Sequence, residues 1–180
     1  SAASDVYKRQ VNKGPGSFTG IRIGVAAAKG MADVLKIPVY GASTLGSMAY
    51  NLIDTDCIVC CAMDARCGQV YNALFDITDG KITRLTEDNA DSIENVEKKL
   101  KEYKNIKFIV GDGAEICYNN LKNADDVHLA SQTHRFQSAV GVCFEAMNAP
   151  EDRYIESAML VPEYLRLPQA ERELKAKLHK

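Results

Sequence analysis

Apolar residues follow two rhythms along this chain, and the places where the rhythm changes mark its elements. Residues 57–63 (CIVCCAM) are apolar without interruption, which predicts a strand buried on both faces. Two further strands are predicted at 69–76 and 81–86, with hairpin signals between them at Gly68 and at Asp79-Gly80. The period then lengthens. Ile93, Val96, Leu100 and Tyr103 recur at helical spacing and predict a helix over about 91–103, with lysines on its other side. Residues 107–110 read as a strand, Gly111-Asp112-Gly113 as a turn into a short helix, and 127–129 as another strand. Phe136, Val140, Cys143, Phe144 and Met147 predict a helix over 136–148 that buries those five side chains.

The front of the chain reads differently. Residues 14–24 (GPGSFTGIRIG) are a glycine-rich turn running into a helix over about 19–36. Ser17 and Thr19 are placed to cap its first amides. Ile21, Val25, Ala32 and Leu35 make a bulky stripe suited to a core. Gly20, Gly24 and Ala28, with Ala27 and Met31 beside them, make a second stripe with almost no side-chain bulk. A glycine inside a helix costs about 1 kcal/mol relative to alanine, so this bare stripe calls for close packing, and a second helix is the natural partner. A short strand at 37–40, behind Pro38, and a helix at 43–53 capped by Ser43 complete this part.

The two parts share an order. Residues 57–148 read strand, strand, strand, helix, strand, helix, strand, helix, and residues 11–53 repeat the end of that series. Each contains a strand, a Gly-x-Gly turn and a helix, at Gly14-Pro15-Gly16 and at Gly111-Asp112-Gly113. This predicts an α/β fold of duplicated lobes with the first lobe incomplete. Val11, Asn12 and Lys13 read as the tail of a strand, whereas residues 1–10 (SAASDVYKRQ) fit nothing downstream. The expected division is 1–10 as unmatched or foreign sequence, 11–55 as the remainder of the first lobe, 56–165 as the second lobe and 166–180 as a charged tail. In that tail Glu171 faces Lys175 and Glu173 faces Lys177, with a thin apolar line of Ala170, Leu174 and Leu178. A solvated helix is expected there, with a docking helix as the alternative.

Composition removes several function classes. With 46% hydrophobic residues in 180, the chain holds a core for one medium domain or two small lobes. Its net charge is −2, and no basic patch stands outside the tail, so it is not built to grip nucleic acid unaided. No run of eighteen apolar residues and no signal-peptide pattern occur, which makes the cytoplasm the expected location. The six cysteines read as small core residues in a reducing compartment. Strand alternation puts Cys57 and Cys61 on one face and Cys60 on the other, so the three do not converge on a metal. The histidines, at 128, 134 and 179, form no HxxxH or HExxH pattern. No serine or cysteine triad stands at recognisable spacing, and no catalytic residue, metal or cofactor is expected.

Two turns remain candidates for holding phosphate. The first contains Gly14, Gly16 and Ser17 at a helix N-terminus, where backbone amides attract anions; the alternative is a tight capped turn, and no Walker lysine follows Gly20. The second contains Asp64, Arg66 and Gly68 between two strands, with local Asp64–Arg66 pairing as its plain reading.

GPGSFTGIRIG, STLGSMAYN (43–51), MDARCGQVYNALF (63–75), GDGA (111–114) and YLRLPQAERE (164–173) together resemble the bacterial TsaB (YeaZ) family, in order from about residue 11 onward. The resemblance implies the actin-like ATPase fold, the ribonuclease H-like duplication of the actin/sugar-kinase superfamily. It implies a non-catalytic partner in making the threonylcarbamoyl modification of adenosine 37 in tRNA. The implied partners are the catalytic TsaD subunit and the ATPase TsaE, with a homodimer as a further possibility. Contact with tRNA would be only through the complex, and none is implied with a membrane. The implied docking residues are Gly20, Ile21, Gly24, Ala27, Ala28 and Met31. The turn at 64–68 then corresponds to a phosphate loop of the superfamily, with Arg66 and Cys67 adding bulk to it. Because a hydrophobic strand, and before it a long helix and a three-stranded meander, precede GPGSFTG in that family, a truncated front is expected here, with a divergent N-terminus as the alternative. The alternatives are a small-molecule kinase or ATPase of the same superfamily and a self-associating binding module.

Overall fold

The structure, a computed structural model, describes residues 8–123 and 125–166. The uninterrupted apolar run becomes β3 (Cys57–Asp64), the middle of a six-stranded sheet. β4 (Gln69–Thr78) returns antiparallel to it, and β5 (Lys81–Arg84) follows antiparallel to β4. Asp79 and Gly80 have φ of 50° and 68°, the left-handed pair that a two-residue hairpin requires. An unexpected strand, β6 (Asn89–Ser92), pairs with the first half of β4. β5 and β6 are thus two pieces of one edge, broken at Leu85 and Thr86. The amides of both reach the Leu74 carbonyl, and Thr86 Oγ1 accepts from the Leu74 amide. The polar stretch NADS carries no apolar alternation, so its pairing depends on β4 and not on its own pattern.

α3 (Ile93–Leu100) covers one face, with Val96 and Leu100 buried as the helical period predicts. β7 (Lys107–Val110) joins β3 in parallel, α4 (Ala114–Asn119) follows, and β8 (Val127–Leu129) lies parallel to β7. The order β5-β4-β3-β7-β8, antiparallel then parallel, is the ribonuclease H-like arrangement. Cys57 and Cys61 face one core cluster and Cys60 the other, as alternation requires. Burial pushes the Cys57 thiol up to about 11, with Asp56 and Asp76 adding to the effect, which keeps it unreactive.

The smaller sheet repeats the second half of the larger one. β1 (Arg9–Gly14) lies parallel to β2 (Val39–Ser43), with α1 (Phe18–Leu35) as the crossover. α2 (Thr44–Ala49) is buried at all six positions because it is wedged between the two sheets. Its Leu45, Met48 and Ala49 pack with Cys57, Val59 and Phe75 of the larger sheet. The chain after Tyr154 returns to the smaller sheet. Ile155 exchanges backbone hydrogen bonds with Val39, and Leu160 packs on Ile21, Val25 and Val39.

The helix expected over 136–148 is α6 (Ala139–Met147), and a separate single turn, α5 (Gln132–Arg135), precedes it. The expected core face of α6 is corrected. Phe136, Val140, Phe144 and Met147 are 50%, 60%, 44% and 77% exposed, and Cys143 is half-buried. The helix packs through Gly141 and Ala146. A Cβ on Gly141 would lie 2.1 Å from the Ser47 carbonyl oxygen, so α2 and α6 approach backbone to backbone along the bare side. Periodicity reveals that a face exists. The closest possible approach decided which face was covered.

Candidate functional site

α1 is held at its start by Ser17, whose Oγ accepts from the Gly20 amide at 3.4 Å, and ends at Lys36 in the left-handed conformation. Its core stripe is Ile21, Val25, Ala28 and Ala32. Two of the six residues expected to face a partner, Ile21 and Ala28, are therefore in the chain's own core, at 9% and 4% exposure. Leu35, expected in the core, is 51% exposed. Gly24 is half-buried, with Val11 Cγ2 at 3.6 Å from where a Cβ would stand. Gly20, Ala27 and Met31 are exposed. They share with Ile23 (65% exposed), Gly30 and Val34 (80% exposed) an arc of roughly 100° on the helix. The arc contains no charge. On the opposite flank Lys29 reaches the carbonyls of Ala158 and Leu160 at 3.1 and 2.9 Å, closing that side with the returning chain.

The candidate phosphate turns do meet. Gly16, Ser17, Asp64 and Arg66 line one cleft of about 380 Å³ between the sheets, together with Asp112, Tyr164 and Arg166. Gly14 and Gly68 are not among its lining residues, and Gly68 stands in open space. The turn glycines are already occupied. Gly14 has φ of 138°, and a Cβ on it would lie 2.3 Å from the Glu163 carbonyl oxygen. Gly111 repeats this in the larger lobe, with φ of 110° and the Ala62 carbonyl oxygen at 2.0 Å from its Cβ position. Both glycines admit neighbouring backbone of this same chain.

Residues 160–166 run along the cleft as a strap. The Glu163 amide donates to the Lys13 carbonyl at 2.7 Å, and the Lys13 ammonium pairs with the Glu163 carboxylate at 2.9 Å. The Tyr164 ring packs on Phe18 at 4.8 Å, and the Arg166 guanidinium donates to the carbonyls of Ala65 and Arg66. Asp64 Oδ1 accepts from the Arg66 backbone amide at 2.7 Å, so the expected local contact exists but engages backbone and not the guanidinium. Arg66 and Cys67 take left-handed φ of 61° and 56°, and both are exposed.

Two polar groups stand outside the expected sites, and only the second escaped the sequence reading, since His134 reads as a residue near a helix start. Ser131 Oγ and Thr133 Oγ1 each lie 3.0 Å from His134 Nδ1 at the start of α5. These contacts are local to one turn, and no carboxylate is hydrogen-bonded to that ring among the described residues. The other group is Glu145, on the inner side of α6, whose burial no local pattern announces. Among the described residues no cluster of three or more metal-ligating side chains occurs. His179 and the tail pairs Glu171–Lys175 and Glu173–Lys177 lie outside the described residues.

Comparison with known proteins adds to this geometry. A family model described as TsaD, tRNA N6-adenosine threonylcarbamoyltransferase, matches residues 4–177. The tRNA threonylcarbamoyladenosine biosynthesis protein TsaB of Bacillus subtilis strain 168 is 31% identical over 174 residues, 94% of this chain and 74% of that protein. The protein of the same name from Escherichia coli K12 is 33% identical over 116 residues, 63% of this chain and 50% of that one. Two solved structures from Pseudomonas aeruginosa share the fold. One, described as an uncharacterized protein with similarity to peptidase YEAZ, has a TM-score of 0.73 and 22% identity, covering 89% of this chain and 74% of its own. The other, described as YeaZ, has a TM-score of 0.72 at 21% identity with the same coverage.

Proposed function

The chain belongs to the TsaB family, and on that premise we propose that it is a non-catalytic scaffold subunit for the threonylcarbamoyl modification of tRNA. Its partner in this reading is the catalytic TsaD subunit, with the ATPase TsaE joining the assembly and tRNA reached only through the complex in the cytoplasm. One observation carries the reading. The outer arc of α1, from Gly20 through Ala27 to Val34, is apolar, uncharged and open to solvent, with the small residues Gly20, Ala27 and Gly30 set between Ile23, Met31 and Val34, while its opposite side is committed to β1, β2 and the returning strap. A helix laid on such an arc approaches close to the α1 backbone and gains dispersion contacts along its length. Binding energy spent there favours one conformation of the partner over another, which is how a subunit without catalytic groups raises activity.

The cleft supports the same reading over nucleotide chemistry. The turn glycines beside it, Gly14 and Gly111, are filled by carbonyl groups, and Asp64, Glu163 and Arg166 of its lining are bound to the chain itself. Titration with ATP and magnesium is expected to give no saturable signal; saturable binding would revive the kinase or ATPase alternative.

The direct test is Ala27→Arg. Ala27 is exposed, so the melting temperature should stay within the range of ordinary surface changes. A charged side chain pressed into an apolar helix contact costs upwards of about 2 kcal/mol, so affinity for TsaD should fall roughly thirtyfold or more by titration calorimetry. An unchanged affinity overturns the docking assignment. Sedimentation of the chain alone separates scaffolding from self-association, since a self-pairing module would lose its own dimer in the same variant.

A further inference from the structure

α6 carries Glu145 into the joint between the two sheets. Its Oε1 accepts from the Ser43 amide at 3.1 Å and from the Tyr40 hydroxyl at 3.3 Å. Its Oε2 is buried and has no hydrogen-bond partner among the described residues. The groups that face it come from every element packed around α6. β2 supplies Tyr40, the 3₁₀ turn after α2 supplies Tyr50, and the β5–β6 edge supplies Arg84 and Asp88. Arg153 stands beyond Tyr40, α2 offers only uncharged Gly46 and Ser47 nearby, and β1 presents Gln10, which donates to Cys143 Sγ at 3.1 Å.

Arg84 would be the natural counter-ion, and its Nη2 stands near Oε2 beside Gly46 without pairing to it, while its Nη1 is engaged elsewhere. It pairs with Asp88 at 2.5 Å and donates to the Thr86 carbonyl at 3.3 Å, while Asp88 also accepts from the Ser43 hydroxyl at 2.6 Å. No ion pair involving Glu145 forms among the described residues. A buried oxygen without a partner is tolerable on a neutral acid and costly on a carboxylate. Burial accordingly pushes the Glu145 carboxyl up from 4.5 to about 7, against the opposing pull of the Ser43 amide and Arg84. The same burial, with the Glu145 charge, pushes the Tyr40 hydroxyl upward.

We propose that Glu145 is a proton-operated latch: neutral, it holds α6 against β2 and α2, and on losing its proton it loosens α6 and with it the joint between the two sheets. The packing explains why the helix must yield. At Gly141 α6 rests on the Ser47 carbonyl with no slack, so water reaches an ionised Oε2 only if α6 moves outward. Its outer residues Val140 and Met147 are exposed, and the Phe144 ring stands 6.1 Å centroid to centroid from that of Tyr50, so little holds the helix in from outside.

The closed state binds the proton more tightly than the open one, in which the carboxyl returns to its ordinary 4.5. Closure is therefore fully favoured below about pH 4.5 and is lost progressively as pH rises through about 7, by roughly tenfold in the opening constant per pH unit. Amide hydrogen exchange between pH 5 and 7, corrected for the intrinsic rate, tests this on the intact chain. Protection in 139–147 and 43–49 should fall with that slope while β3 and β4 do not change, and Glu145→Gln should flatten the dependence. Equal slopes in both proteins, or no slope in the natural one, would refute the latch. Should the glutamine variant not fold, the carbon shift of the Glu145 carboxyl in the natural chain decides. A midpoint close to 7 that tracks the loss of protection supports the latch, and a midpoint in the ordinary carboxylate range overturns it.

Discussion

Gly111→Ala is expected to leave the chain without a stable folded state at 25 °C. The residue sits at φ of 110°, and its Cβ would stand 2.0 Å from the Ala62 carbonyl oxygen and 2.9 Å from its carbon. The conformational penalty for a non-glycine residue there is about 1–3 kcal/mol. The overlap adds more, because the obstacle is the backbone of β3 and not the tip of a flexible side chain. β3 has little freedom to move, being bonded to β4 on one side and β7 on the other. The Gly111 amide also donates to the Arg135 carbonyl at 2.6 Å, so shifting the turn breaks that link as well. The sum exceeds roughly 5 kcal/mol, the low end of the stability of an ordinary domain. Urea titration followed by far-ultraviolet circular dichroism measures it. A cooperative transition with the natural midpoint would show that the two turns are looser than their geometry indicates.

Leu74→Ala carries the second large effect. Leu74 is fully buried in β4 and packs on Cys60, Val70, Val96 and Ile109. Removing it leaves a cavity between the sheet and α3 that a rigid, fully bonded strand cannot move to fill, at about 3–4 kcal/mol. For a chain of this size the melting temperature should drop by about 10 °C, with no change in the denaturant slope. Val140→Ala is the instructive contrast. The spacing of 136, 140, 144 and 147 makes Val140 a core residue, whereas at 60% exposure its loss should fall within about 0.5 kcal/mol of neutral. A loss at Val140 as large as that at Leu74 would mean that the outer face of α6 is covered.

These contrasts show how much of the molecule was legible in advance. The strand 57–64, the Asp79-Gly80 hairpin, the strands 107–110 and 127–129 and the capped helix from Phe18 are all readable, because turn chemistry and period act over a few residues. The family was legible too, since its motifs are contiguous and the matches from B. subtilis and E. coli bear them out. The candidate site was legible only in part. Gly20, Ala27 and Met31 of the expected stripe lie on the exposed arc of α1, but Gly24 is half-buried and Ala28 and Ile21 belong to the core. Spacing locates side chains around an axis; it does not say where the sheet beneath that axis will lie. The meeting of Ser17, Asp64 and Arg66 in one cleft was not readable at all, because it depends on how the two sheets sit across α2.

The sequence by itself determined most of the elements and their order, though not β6 or α5, together with the duplicated strand-turn-helix unit and the family. The tertiary structure alone decided which face each helix buries, that the glycines at 14 and 111 receive carbonyl groups from elsewhere in the chain, and that Glu145 is half-buried with one buried oxygen that has no partner among the described residues. The reason is one of range. Backbone propensity is settled between adjacent residues, but burial and occupancy are settled by whatever distant segment arrives first at van der Waals contact, and small residues let it arrive closest.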